Sequence, residues 1–271
     1  MADLVKDPGF GKPSHLDAEL DLLLWAVKHG NWSFAECIAT LYAEKGLVSV
    51  DSSDERAHSP LLIASRCGQV ELVQLLVNKG AKVNAQGRFY TSAVHAASTE
   101  GHEAVVQLLL DNGADPNAQV EGCSSTLQAA SYRGHKAVVQ LLLDNGADVD
   151  TRGGHSGDAL QATSQGGHVA VMQLLLDRGA EVNAQGGYYG SALQAASHRG
   201  HEAAVQLLLD RGADVDFQGG HYGSALHAAS AGDHETLVRH LRVAPWGLRP
   251  NRVLLQNSFP ARMYRSHVSK P

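Results

Sequence analysis

A fixed period constrains this chain more than any other feature. Gly80, Gly113, Gly146, Gly179 and Gly212 stand 33 residues apart, and Gly68, Gly101, Gly134, Gly167 and Gly200 keep the same interval. A third column holds His102, His135, His168, His201 and His234, with Gln69 in its first place. No insertion or deletion interrupts the columns. A single closed core has no reason to keep such register. A period of this size is the mark of supersecondary units that stack, each burying its apolar face on its neighbours.

One unit, from Ser191 to Tyr222, shows what is being stacked. Its first segment, Ser191 to His198, is short and Ala-rich, which predicts a slim helix that neighbours can approach closely. Gly200 breaks it. In the second segment Ala204, Val205, Leu207, Leu208 and Leu209 share one helical face, while Glu202, Gln206 and Asp210 point elsewhere. Asp210-Arg211-Gly212 ends that helix, the glycine supplying a left-handed C-terminal turn. The chain then projects through Asp214 to Tyr222 before the next unit starts.

The first helices open with Ser59-Pro60-Leu61-Leu62, Ser92-Ala93-Val94-His95, Ser125-Thr126-Leu127-Gln128, Asp158-Ala159-Leu160-Gln161, Ser191-Ala192-Leu193-Gln194 and Ser224-Ala225-Leu226-His227. With the Gly-His pair and the Leu-rich second helix closed by Gly-Ala-Asp, these resemble the T-P-L-H, G-H and G-A-D-V-N signatures of ankyrin repeats. The resemblance implies an all-α, ankyrin-repeat solenoid of stacked helix-turn-helix units with projecting hairpin-like loops. It covers about residues 58–244, read as five full units plus a C-terminal capping unit. Three departures stand out: Ala where the family has Pro, Gln in place of the motif His, and fingertips of the form Gly-Gly-Tyr-Tyr-Gly. The fingertip variant is similar to arrays of fungal STAND/NACHT-type proteins, although the chain carries no P-loop.

Composition divides the rest. Residues 1–57 carry a net charge of −5, residues 58–240 of −7 and residues 241–271 of +6. Residues 1–15 read as a flexible leader without the basic start and apolar run of a secretory signal. In residues 16–57, Leu16, Leu20, Leu23, Leu24 and Val27, followed by Phe34, Ile38 and Leu41, read as a degenerate capping repeat. In the last unit His240 and Arg242 replace the apolar Leu207 and Leu209, so that helix can face water. Residues 245–271 read as a basic, Pro-containing, disordered tail. Lys plus Arg number 22 against 28 Asp plus Glu, which argues against a nucleic-acid binder, and nothing approaches a membrane-spanning run. Three scattered cysteines suit a reducing compartment, so the chain is expected in the cytoplasm, with the nucleus as a second location, and as a monomer.

Catalytic, cofactor and metal sites are expected to be absent. The histidine column places its members one stacked layer apart, about 8 to 10 Å, whereas zinc ligands must lie within about 2.1 Å of the ion. Those histidines read instead as hydrogen-bonding links between turns that also help start the second helix. Asp111, Asp144, Asp177 and Asp210 form a similar column and read as a solvated face. Gly153 to Gly157 lacks the G-x-S-x-G spacing of a nucleophile elbow, and Gly9 to Ser14 fails the P-loop pattern.

A surface remains. By the resemblance, partners dock on the concave face lined by loop tips and first-helix ends. The tips contribute Phe89, Tyr90, His155, Tyr188, Tyr189, His221 and Tyr222, and the helix ends Arg66, Tyr132, Arg133, His198 and Arg199. Tyr and Arg are enriched in binding hot spots. One tyrosine of each Tyr-Tyr pair could equally pack on the glycines of the next finger. The positive residues on this face fit an acidic or polar partner segment. The function expected is a non-catalytic protein–protein interaction scaffold. The alternative is a detached sensor or regulatory subunit acting with a STAND-type nucleotide-binding ATPase or another pathway enzyme.

Overall fold

The computed structural model describes residues 17–45, 59–86, 92–119 and 125–243. The expectations for the leader, the basic tail, and the tips Phe89 and Tyr90 lie outside the described residues. Within them the chain forms fourteen helices joined by turns and no named strand. They pair in chain order: α1 (Asp17–Lys28) with α2 (Trp32–Lys45), α3 (Pro60–Arg66) with α4 (Val70–Asn78), α5 (Ala93–Glu100) with α6 (Glu103–Asp111), α7 (Thr126–Arg133) with α8 (Lys136–Asp144), α9 (Ala159–Gly166) with α10 (Val169–Asp177), α11 (Ala192–Arg199) with α12 (Glu202–Asp210), and α13 (Ala225–Ala231) with α14 (Glu235–Val243).

The odd-numbered helices from α1 to α13 pack successively into an inner row, and the even-numbered helices from α2 to α12 into an outer one. Each inner helix from α3 on starts at a side chain that accepts from the backbone N–H three residues ahead. Ser59, Ser92, Ser125, Ser191 and Ser224 fill that place, and Asp158 fills it in α9. Such a cap satisfies an N–H that the helix cannot bond internally. Small residues then bring the rows together: Ala64, Ala97, Ala130, Ala162, Ala195, Ala196 and Ala229 are fully buried. The outer helices supply the larger apolar side chains, with Leu72, Leu76, Leu109, Leu142, Met172, Leu175 and Leu208 buried in one continuous core. In α14, Leu237 and Leu241 keep the buried face while His240 and Arg242 are exposed, as the polar substitutions in that unit require.

The glycine and histidine columns turn out to be one device. His102 Nε2 lies 3.0 Å from Arg66 O, and His135, His168, His201 and His234 make the same bond to Thr99, Tyr132, Gln165 and His198, each in the preceding unit. The imidazole reaches that carbonyl by crossing the glycine that ends the preceding inner helix. A Cβ on Gly101, already at φ +81°, would stand 2.6 Å from the His135 ring. The link between units expected from the sequence is therefore present. The helix-starting role is confined to the backbone, because none of His102, His135, His168 or His201 caps its own helix with its side chain. A second set of ties runs through the loops: Asn84 donates to Gly113 O at 2.8 Å and accepts from Asp115 N at 2.9 Å, and Asn117 and Asn183 repeat the pattern.

Candidate functional site

The projecting loops owe their shape to glycine. Gly153 bridges to Gly157, Gly186 to Gly190 and Gly219 to Gly223, so each finger is a tight, closed hairpin-like loop. Successive fingers are joined edge to edge, Tyr188 N donating to His155 O and His221 N to Tyr188 O, both at 2.9 Å. Contact is so close that a Cβ on Gly220 would overlap the Tyr189 carbonyl.

Glutamines lock these fingers to the inner helices. Gln128 Nε2 donates to Gly157 O at 2.8 Å and to Thr151 O at 3.1 Å, while its Oε1 accepts from Ser125 N. Gln194 Nε2 donates to Gly219 O and Gly223 O, both at 3.0 Å, and Gln161 Nε2 to Ala184 O at 3.1 Å. These three residues are the substitutions for the motif histidine, and their role escaped the sequence reading. A signal was present. Gln occupies that column in the three units whose following finger reads Gly-Gly-x-x-Gly, whereas Leu62 and His95 precede fingers of other composition. Gln194→Ala should cost about 1–2 kcal/mol, because it removes two bonds to the finger and takes the Gln194 donor from Gly219 O, while Gly223 O keeps the Gly219 N–H. Urea denaturation checks this against Gln206→Ala on the outer helix, which should cost less than about 0.5 kcal/mol.

The locked fingers carry two aromatic rails, each built from residues one period apart. In the outer rail Tyr188 is sandwiched between His155 and His221, with ring centroids 4.7 and 4.5 Å away. In the inner rail Tyr189 stacks with Tyr222 at 6.1 Å, and Tyr222 stacks on His198 of α11 at 4.5 Å. Tyr189 stands edge-on to Tyr188 at 5.2 Å and joins the rails. Its hydroxyl accepts from Gln165 Nε2 at 3.3 Å, and the Tyr222 hydroxyl lies 3.2 Å from His198 Nε2. Burial, reinforced by the charge of Arg199, holds the His198 imidazole below its ordinary value, and burial raises the Tyr222 phenol.

Six of the twelve residues singled out from the sequence, His155, Tyr188, Tyr189, His198, His221 and Tyr222, are thus brought into one cluster. Tyr189 corrects the expectation that it is exposed. Only 5% accessible, it packs into the rails and against the next finger, the structural role weighed for one member of the pair. Tyr188 is 36% and Tyr132 40% accessible, and His155, His221, Arg66, Arg133 and Arg199 are exposed, while His198 and Tyr222 are half-buried.

On the outer helices the carboxylate column is solvated and internally engaged. Asp111, Asp144, Asp177 and Asp210 each accept from a glutamine one turn earlier, and Arg178 and Arg211 pair with Asp144 and Asp177 of the preceding unit at 2.8 and 3.4 Å. The Gln140 bond, with Arg178, holds the Asp144 carboxyl below its usual value. Cys37 and Cys67 are free thiols at exposed positions. Among the described residues no helix is long and apolar enough to cross a membrane.

Stacked helix pairs with glycine-ended inner helices and projecting fingers define a repeat solenoid, and the comparisons say which. The family profile for "Ankyrin repeats (3 copies)" matches residues 93–186 and 160–252, and that for a single "Ankyrin repeat" matches residues 58–88. The chain belongs to the ankyrin-repeat family. The ankyrin repeat domain of Bcl-3, described as a unique member of the IkappaB protein family, is 30% identical with a TM-score of 0.66, the alignment covering 82% of this chain and 97% of that one. The human ASB11 ankyrin repeat domain is 27% identical with a TM-score of 0.69, covering 80% and 96%. Ankyrin-repeat domains are generally non-catalytic modules for protein–protein interaction.

Proposed function

We propose that this chain is a non-catalytic scaffold or adaptor, a monomer of the cytoplasm or nucleus, that holds a partner protein on the face made by its fingers and inner-helix ends. One observation carries the reading: Tyr132 and Tyr188, two of the three large apolar side chains exposed among the described residues, lie on that face. Tyr188 is also held between two imidazoles. A ring already immobilised gives up little conformational entropy when a partner covers it, which favours its use as an anchor. The site residues that serve a partner in this reading are Tyr132, Arg133, His155, Tyr188, Arg199, His221 and Arg66, with Tyr189, His198 and Tyr222 as their support.

The test is affinity capture from native extract with wild type and with the triple variant Tyr132→Ala, Arg133→Ala, Tyr188→Ala, all exposed positions that leave the inner rail whole. The expected result is a protein recovered with wild type and lost with the folded variant. Recovery of the same proteins by both would refute the face assignment. If the protein lost is a nucleotide-binding ATPase of the STAND type, the array acts as that enzyme's detached sensor.

A further inference from the structure

Among the described residues, the arginines of the outer row and loops differ from those at the inner-helix ends. Arg152, Arg178, Arg211 and Arg239 each pair with a carboxylate, Glu181, Asp144, Asp177 and Glu235 respectively, at 2.8 to 3.4 Å. Arg66, Arg133 and Arg199, at the C-terminal ends of inner helices α3, α7 and α11, are exposed and make no ion pair among the described residues. In the two residue columns they occupy, the single described carboxylate is that of Glu100. Among the described residues, a protein with an acidic net charge of −6 thus pairs four of its five outer-row and loop arginines, Arg242 at the C-terminal end of α14 being the exception, and leaves all three on the finger side without an ion pair.

Spacing gives this set a meaning. Arg66, Arg133 and Arg199 are two units apart in succession, a rise of about 16–20 Å per step for packed helices. An extended chain advances about 3.3–3.6 Å per residue, so each step corresponds to about five or six residues. Between Arg133 and Arg199 in unit order comes Tyr188, fixed in the aromatic rail. Arg199 lies beside the inner rail, near enough for its charge to act on His198 and Tyr222.

We propose that the occupant of this face is an extended acidic segment of about ten to twelve residues, with carboxylates about five or six residues apart meeting Arg66, Arg133 and Arg199 and an apolar side chain packing on Tyr188. The proposal rests on the reading of this face as the docking surface. An extended acidic chain follows the stack direction and satisfies all three guanidinium groups, each suited to bidentate carboxylate bonding. The rail then gives it one rigid apolar contact.

Selection of peptides from an unbiased display library of random 12-residue sequences on the full chain tests this, followed by fluorescence anisotropy of the most enriched peptide. The selected pool should be enriched in Asp and Glu at that spacing. The peptide should bind at least tenfold more weakly when its acids are replaced by amides, and equally so to the folded double variant Arg133→Glu, Arg199→Glu. Arg178→Glu, on the outer row, should leave its affinity unchanged, and added salt should weaken binding. A selected pool without acidic enrichment, or binding indifferent to the double reversal, overturns the acidic segment. If that neutral pool is still lost on Tyr132→Ala, Tyr188→Ala, the face remains a docking surface; if it is not, the face assignment falls too. Displacement of the peptide by an oligothymidine at equal phosphate concentration would point to a nucleic acid and also overturn the proposal.

Discussion

Tyr189→Ala should destabilise the solenoid by about 3–4 kcal/mol, the scale seen when a buried aromatic is truncated, whereas Tyr188→Ala next to it should cost less than about 1 kcal/mol. The two side chains are neighbours in sequence and opposite in environment. Tyr189 is 5% accessible, contacts Tyr188, Tyr222 and His198, and is bonded through its hydroxyl to Gln165. Removing it opens a void between two fingers and an inner helix, and leaves the Gln165 amide without that acceptor. Because repeat units couple to nearest neighbours, the loss should be local. Amide exchange should accelerate in residues 184–190 and 217–223 and stay unchanged in α4 and α6. Urea titration of both variants with exchange mass spectrometry checks this. Equal losses from the two substitutions would show that the rails are not divided into a supporting and a presenting side.

Asp158→Ser should stabilise the protein at pH 7.5, and the gain should disappear near pH 4. Five of the six described caps in its column are serine, and Asp158 puts a carboxylate where the site is 3% accessible. Burial pushes its carboxyl from the usual 3.8 up to about 6, against the bonding of Gln161 N at 2.7 Å and the charge of Arg152, and with the charge of Asp150. Between those two values the folded protein holds a proton that the unfolded chain has released. The contribution of Asp158 to folding is therefore most favourable below pH 4, and it is lost as pH rises through about 6. A shift of this size corresponds to about 3 kcal/mol at neutral pH. Serine keeps the cap without the charge, so the variant should gain about 2–3 kcal/mol at pH 7.5, the difference reflecting its weaker neutral cap bond. Melting curves of both proteins from pH 4 to 8 would settle it. A pH-independent difference, or a variant less stable at pH 7.5, would contradict the assignment.

The fold was legible because its determinants recur. The glycine that must take a left-handed turn and the histidine that crosses it are fixed in register, so Gly101 and His135 announce a unit boundary without any structure. The serine caps and the small residues of the inner helices were legible for the same reason. At the fingers the information was present in a form that a reading along the chain passes over. His155, Tyr188 and His221 are one period apart, as are Tyr189 and Tyr222, so columns of aromatics in a stacked array amount to stacked rings. Which column faces solvent depends on how a Gly-Gly-x-x-Gly loop leans on α11, and that follows from the Gln194 clamp and the Gly220 contact, not from residue type. The arginine pairs were half visible: Asp144 to Arg178 and Asp177 to Arg211 repeat at one spacing. The absence of such a partner for Arg133 and Arg199 among the described residues became apparent only when the units were stacked.

The central claim is that a partner protein docks on the finger and inner-helix face. A benzophenone photo-cross-linker placed at Tyr188, at Tyr132 and, as outer-row reference, at Gln140, irradiated in native extract, tests it most directly. The account predicts the same adduct from Tyr188 and Tyr132 and none from Gln140. An adduct formed from Gln140 but from neither tyrosine would place the partner on the outer helices and contradict the account.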